Sequence, residues 1–391
     1  MHVLSLIIMN CCGFIPLVAA RVVFTLHALS FGASPFQIGM LAVVNQLFTM
    51  LLSMPIGAYA DRHGARGLFL VGMLSAVAAL MLPYWFPGMP ALFASSALIG
   101  LWAVMIVVLT QSLVGVLSTP EAVTRNYTNL TMFGSVAMFI GPLVAGFAID
   151  AVGLELAWLA LVPFMLIPLG WLAAHWRALP AGRARAAART SHGTLLRERS
   201  LWWLLVLSGM VQLCSDLYPF YLPMYGHSVG LSAGMIGAVV ASVALASFTA
   251  RVLMQPLVQL VGEERLLSLS LALCAVGFAL VPLFASPVAL VLVSMLYGAA
   301  SSAGQPITMT MMFRSSPPGR VAEAIGLRIM GNGVMRAVAP GAFGGIAALA
   351  GLTSMFVSTG ALIGAVALAN FWKARAGRVE GFGSARNARG P

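Results

Sequence analysis

Apolar runs of 20–29 residues succeed one another along the chain, interrupted by short segments that carry charge, Pro or Gly. A helix needs about 20 apolar residues to cross a bilayer, and runs of this length with almost no charge read as transmembrane helices. The pattern predicts twelve spans, over residues 3–28, 36–59, 67–86, 90–117, 127–149, 154–175, 201–224, 232–260, 266–285, 288–313, 325–349 and 351–372. The connections after 149 and after 349 are the shortest. Residues 176–200 form the one long polar stretch, rich in Ala, Arg and Gly. They divide the chain into a first six-helix bundle (1–175), a cytoplasmic basic linker (176–200), a second bundle (201–373) and a cytoplasmic tail (374–391) expected to be disordered.

The basic residues give the spans a direction. Of the 21 Lys and Arg, 18 fall in alternate loops and the tail: Arg62 and Arg66, Arg125, six arginines from Arg177 to Arg199, Arg265, then Arg314, Arg320 and Arg328, and five residues from Lys373 onward. The remaining three, Arg21, Arg251 and Arg336, lie within spans, so the other six loops carry none. Positive charge marks the cytoplasmic side of a membrane protein. The expectation is a multi-pass protein of the bacterial inner membrane with both termini cytoplasmic.

Composition agrees with this picture and removes alternatives. Hydrophobic residues make up 60% of the chain and charged residues 8%, with a mean hydropathy of +0.97, against about 25% charged in a soluble domain. The net charge of +11 is an orientation signal with weak attraction to anionic lipid, not a nucleic-acid footprint. Cys11, Cys12, Cys214 and Cys274 sit in apolar runs without metal-ligand spacing and read as small core residues. Val18-Ala19-Ala20 is faintly like a cleavage site, yet no Lys or Arg precedes it and the apolar run continues, so the first span is read as retained. The sequons at Asn126 and Asn129 fall on the cytoplasmic side or in the membrane and are expected to be silent.

The two bundles repeat one another. Gly32 to Gly39 matches Gly230 to Gly237 at an offset of 198, Pro142 with Gly146 matches Pro340 with Gly344 at the same offset, and Pro55 with Pro256 and Pro83 with Pro282 fall within three residues of it. Two related six-helix halves with a site between them form a transporter architecture.

Gly57-Ala-Tyr-Ala-Asp61-Arg62-His-Gly64-Ala-Arg66, at the cytoplasmic end of the second span, resembles the G-x-x-x-D-R-x-G-x-R/K signature of the major facilitator superfamily. The segment Arg320-Val-Ala-Glu323-Ala-Ile-Gly326-Leu-Arg328 before span 11 is similar to the bacterial efflux-type branch. The resemblance implies an all-α integral membrane fold of twelve helices in two pseudo-symmetric six-helix bundles. It also implies a cytoplasmic gate motif of Gly57, Asp61, Arg62, Gly64, Arg66, Arg125, Arg320, Glu323 and Arg328. In it Asp61 faces the N-terminus of helix 11, accepts backbone N–H bonds and meets the positive end of the dipole, latching the halves when the inside is closed. Gly57 would let helix 2 pack closely against a partner. Span 4 carries no arginine, where drug/proton antiporters commonly have one, and Arg21 stands in span 1 where many have an acid.

Ionisable residues deep in a span cost about 2.5–3.5 kcal/mol on insertion scales and mark function. Arg21, Asp216 and Arg336 are such residues, and Asp216 is the only acid deep in any span. Subtracting 198 places Asp216 opposite position 18, within one helical turn of Arg21. The expectation is that Arg21 and Asp216 face one another across a central cavity, with Asp216 as the coupling proton carrier. Gln212 lies four residues before Asp216, and Asn332 four before Arg336, so each pair shares a helix face. Gln212, Asn332 and Gln305 extend the candidate cavity, with Gln111 as a further polar residue in a span. Tyr218, Tyr221 and Tyr225 read equally as interfacial anchors or ligands, and His27 as an exposed bystander.

The function these features predict is secondary active transport by alternating access, with no cofactor beyond a proton gradient. The foremost form is proton-coupled export of small organic or drug-like solutes by a monomer in the lipid bilayer. Uptake of small organic anions, suited to the cavity arginines, is the alternative. A non-transporting receptor with the same fold is the reading from another class. An intramembrane enzyme would need a nucleophile with a base or a metal cluster at membrane depth. Primary transport would need a G-x-x-x-x-G-K-[ST] loop. The sequence holds neither.

Overall fold

The computed structural model describes residues 3–119, 122–177, 179, 199–315 and 321–387. These form helices α1 (Val3–Ser30), α2 (Pro35–His63), α3 (Arg66–Trp85), α4 (Met89–Leu117), α5 (Val123–Leu161), α6 (Pro163–His175), α7 (Arg199–Ser228), α8 (Ala233–Val252), α9 (Met254–Val261), α10 (Glu263–Leu280), α11 (Pro287–Ser301), α12 (Gly304–Ser315) and α13 (Val321–Asn387), with a short 3-10 turn at Val281–Leu283. Ten apolar stretches are long enough to cross a membrane. Two of them, Asn129–His175 and Leu327–Lys373, run to 47 residues and each crosses twice. The chain reverses inside them at Gly153 and Gly351, which have φ of +83° and +85°. That makes twelve crossings among the described residues.

Three breaks follow from proline chemistry. Proline lacks the N–H and clashes with the carbonyl four residues back. Pro256 and Pro306 therefore disturb the turns at Val252 and Ser302, where α8 gives way to α9 and α11 to α12. The sequence reading had each of these spans continuous. Pro163 instead opens α6 at its first position, where a missing N–H costs nothing.

The 198-residue repeat is visible in the backbone. Glycines with positive φ pair at that offset: Gly32 with Gly230, Gly64 with Gly262, and Gly153 with Gly351. Ser34 and Ser232, also 198 apart, cap α2 and α8 by accepting the N–H of Gln37 and Met235, each at 3.3 Å. Ser34 and Gln37 complete a reciprocal capping box.

The halves meet through α1 against α7, α5 against α8, and α2 against α13. At the arginine-free face the last two pairs come together backbone to backbone. A Cβ on Gly39 of α2 would lie 2.5 Å from the Pro340 carbonyl oxygen of α13. The repeat-related Gly237 of α8 would likewise overlap the Pro142 carbonyl of α5. Gly344 sits against the Pro35 carbonyl and Gly146 against that of Ala233, again 198 apart. Toward the arginine-rich face the same pairs meet through side chains. Met50 approaches Gly333, and Arg251 donates to the Ser135 hydroxyl at 3.3 Å.

Candidate functional site

Just beneath the closed end lies a cavity of about 70 Å³, between α1, α2, α4, α7 and α13. It has room for roughly five waters. Apolar side chains such as Leu17, Phe24, Ile38 and Phe220 make most of its wall. Its charged members are Arg21, Asp216 and Arg336. The Nε of Arg336 donates to Asp216 Oδ2 at 3.1 Å, with the side chains 42% and 20% exposed. Arg21 shares the cavity with Asp216, but the carboxylate's ion-pair partner is Arg336. The guanidinium of Arg21 has no hydrogen bond or ion pair among the described residues.

A line of hydrogen bonds runs from Asp216 toward the arginine-rich face. Gln212 Nε2 donates to Asp216 Oδ2 at 2.5 Å, Gln305 Nε2 donates to Gln212 Oε1 at 3.0 Å, and Arg328 Nη2 donates to Gln305 Oε1 at 2.7 Å. Each carboxamide donates at one end and accepts at the other, so the line has one direction, from a cation to a carboxylate. Arg328 is 6% exposed and also reaches the Thr308 hydroxyl at 3.3 Å, while its Nε has no partner. In the first half, positions 198 earlier than Gln212, Asp216, Gln305, Arg328 and Arg336 hold Phe14, Val18, Val107, Leu130 and Met138. The same helices therefore pack with apolar residues at all five places, and the polar line is not something the fold requires.

Several sequence expectations are relocated. Arg328 is not at the gate surface but buried between α12 and α13. Arg66 braces the first half, donating to the carbonyls of Arg177 at 3.2 Å and Leu179 at 2.6 Å beyond α6. There it complements the negative end of that helix. Gly57 has ordinary room, 3.7 Å from Val108 to an added Cβ, so close packing does not demand glycine there. Gly64 caps α2 with φ +85°, a backbone that only glycine adopts freely. Asp61, Arg62, Arg125, Arg320 and Glu323 lie outside the residues whose side chains the structure describes.

Asn332 is buried off the cavity and accepts from the Ser208 hydroxyl at 2.9 Å. Gln111 accepts from Tyr127 through its backbone only. His27 is 2% exposed rather than a bystander at the surface, with Nδ1 accepting from Trp158 Nε1 at 2.8 Å. The three tyrosines of α7 are buried and are not interfacial anchors: Tyr218 stacks on Tyr297 with centroids 3.7 Å apart, Tyr221 donates to the Pro340 carbonyl at 2.5 Å, and Tyr225 to that of Phe284 at 3.0 Å.

The sequence reading missed the first half's polar share of the cavity, Thr25, Asn45, Gln46 and Ser96. Asn45 Nδ2 donates to the Ser96 carbonyl at 3.2 Å, and Ser96 to that of Leu41 at 2.6 Å. The Gln46 carboxamide has no partner among the described residues. Adjacent amides in the middle of an apolar span were the available signal. It also missed Asp150, near the arginine-free end of the first limb of α5. Its carboxylate accepts from the N–H of Ala233 at 3.0 Å, the N–H of Gly234 at 2.7 Å and the Ser232 hydroxyl at 3.1 Å, at the N-terminus of α8.

Apolar helices in two repeated halves, drawn together at one end above a cavity that holds three charges, make a membrane transporter and not an enzyme. The family model of the Major Facilitator Superfamily matches residues 6–232 and 204–387, and the chain belongs to that superfamily. Among solved structures it is similar to the nucleoside transporter NupG (TM-score 0.78, 14% identity, 96% of this chain and 99% of that one). It is also similar to a POT family transporter in complex with a thioalcohol-conjugated peptide (0.80, 13%, 95% and 96%) and to a bacterial homolog of the human lysosomal transporter Spinster (0.76, 14%, 95% and 96%). These likenesses show the fold alone. No sequence among curated proteins matches the chain.

Proposed function

We propose that the protein is a proton-coupled secondary transporter that moves small organic solutes through the Arg21–Asp216–Arg336 cavity by alternating access. Both termini and the arginine-rich face are cytoplasmic in this reading, in the inner membrane of a bacterium. The observation that carries it is the Asp216 carboxylate, ion-paired to Arg336 inside a largely apolar cavity. Its protonation would release that arginine, and such a change of pairing at membrane depth is a means of coupling. The similar structures described as nucleoside and peptide transporters agree with a small solute as cargo. Export of drug-like compounds is one direction this machinery can run. Uptake of small organic anions is the other, and the unpaired guanidinium of Arg21 favours it.

The test is flux into proteoliposomes with and without an imposed pH gradient, across a panel of small organic solutes. The expected result is gradient-driven movement by the wild type and loss of gradient dependence in Asp216→Asn. Full gradient-driven activity in that variant overturns the coupling role.

A further inference from the structure

Resting on that reading, we infer that the transported solute is a small monoanion and that the proton crosses with it in the same direction. With Asp216 ionised, the cavity holds two guanidinium groups and one carboxylate, and the surplus positive charge belongs to Arg21. An unpaired cation in an apolar, partly desolvated cavity is costly, and an anionic group is what completes it. Among the described residues no group takes a donor of the Arg21 fork, and a guanidinium holds carboxylate-like and phosphate-like oxygens bidentately. Gln46 of α2 lines the same cavity with a carboxamide that has no partner among the described residues. The volume of about 70 Å³ suits a small acid with a short apolar body.

The direction of coupling follows from competition. Both donors that hold Asp216, from Gln212 and Arg336, go to Oδ2, and Oδ1 receives no hydrogen bond from the described residues. A proton added at Oδ1 neutralises the carboxylate and frees Arg336. The cavity then carries two uncompensated cations, and a monoanion bound between Arg21 and Arg336 restores the surplus of one. The charged groups facing Asp216 are Arg336 from α13 and Arg21 from α1. α12 meets this stretch of α7 with the uncharged Gln305, α11 with Tyr297 bonded to the Cys214 carbonyl, and α10 with Cys274 beside Cys214. The anion and the Asp216 carboxylate compete for the same guanidinium, so each of anion and proton raises the other's affinity by the same factor. The empty carrier and the carrier loaded with both have the same cavity charge, whereas each singly loaded form differs from them by one charge. The pair therefore crosses together without net charge movement. A cationic solute would compete with the proton instead and be exchanged for it.

Sulfonates test this cleanly, because they stay anionic at every pH used and cannot carry the proton themselves. The full-length protein in liposomes at symmetric pH is given methanesulfonate or ethanesulfonate outside, small enough for the cavity. Methanesulfonamide and tetramethylammonium serve as neutral and cationic counterparts, and protein-free liposomes as the control. The expected outcome is sulfonate uptake with alkalinisation of the outer medium and no dependence on membrane potential. Arg21→Gln should lower uptake by at least about tenfold, and Arg21→Lys should retain part of it. Sulfonate uptake without alkalinisation, or with acidification, overturns the shared direction. If the cationic compound moves against a proton while the sulfonates do not, and Asp216 is still required, the anion inference falls and the proton-coupled transporter stands. If no probe moves with a change of outer pH, and none responds when a pH gradient is then imposed, both fall.

Discussion

The two helix pairs that close the arginine-free face share one backbone solution and differ in what locks it. In α2–α13 and in α5–α8, a glycine lies against a proline carbonyl, Gly39 on Pro340 and Gly237 on Pro142, and a second glycine lies against the start of the facing helix. All four contacts obey the 198-residue offset. The polar locks do not. In α5–α8, Asp150 takes two N–H groups and the Ser232 hydroxyl at the start of α8. Its counterpart by the repeat is Ala348, and the counterpart of its donor Ala233 is Pro35, which has no N–H to give. There the lock is the Tyr221 hydroxyl, which sits near both Gly39 and Gly344 and donates to Pro340. The position 198 before Tyr221 is Val23. Duplication preserved the close approach, which either half can make with bare backbone, and each interface then acquired its own polar fastening.

Breaking the shared element should have the largest effect, and an equal one on either side. Gly237→Ala and Gly39→Ala each force a methyl group against a backbone carbonyl that cannot rotate away. Overpacking of this kind costs roughly 1–3 kcal/mol, here charged against the closed state only, so transport should drop by about tenfold or more while the purified protein stays monodisperse. Spin labels at the exposed Phe31 and Leu349 would report the opening by double electron–electron resonance. Retention of full transport by one glycine variant and loss by the other would break the equivalence of the two interfaces.

That equivalence was readable from sequence for a physical reason. A bilayer demands long apolar runs, and close helix approach demands glycine beside proline, so both leave marks at fixed spacing. The three cavity charges were equally legible, because a charge deep in an apolar run is costly and stands out. What could not be read was pairing. Asp216 took Arg336 on α13 over Arg21, which lay nearer by the repeat, and Asn332 turned to Ser208 behind the cavity. Asp150 follows directly on a predicted span that ends at 149, and nothing local marks its partner, a helix N-terminus more than 80 residues later in the chain. The breaks before α9 and α12 had a visible signal in Pro256 and Pro306, and it was outweighed by unbroken hydropathy.

The next effect in size concerns the charged lock. Asp150 is exposed, so solvent reduces the worth of its bonds below the 1.5–3 kcal/mol of a sheltered charge-assisted one, to about 1 kcal/mol with the dipole of α8 included. Asp150→Ala should therefore raise the open population at this face about fivefold, read from spin labels at the exposed Val152 and His227. High salt should shrink the difference between wild type and variant, since screening weakens an exposed charge. A salt-independent difference would reassign the residue to packing.

The smallest effect is expected at the tyrosine lock, and it sharpens the comparison most. Tyr221→Phe keeps the ring between the same neighbours and removes one neutral hydrogen bond to a carbonyl, worth about 0.5–1.5 kcal/mol. Its cost lies at the low end of that range, because the Pro340 carbonyl remains within α13 and can accept from the N–H four residues on. The open population should rise about threefold, and the change should be indifferent to salt, in contrast to Asp150→Ala. The two locks sit on different helix pairs without a shared hydrogen-bond partner, so the double variant should show the sum of the two free-energy changes within about 0.5 kcal/mol. A double variant no more open than Asp150→Ala alone would mean that the halves hinge on α5–α8 only, and that Tyr221 fills the notch between Gly39 and Gly344 without holding it shut.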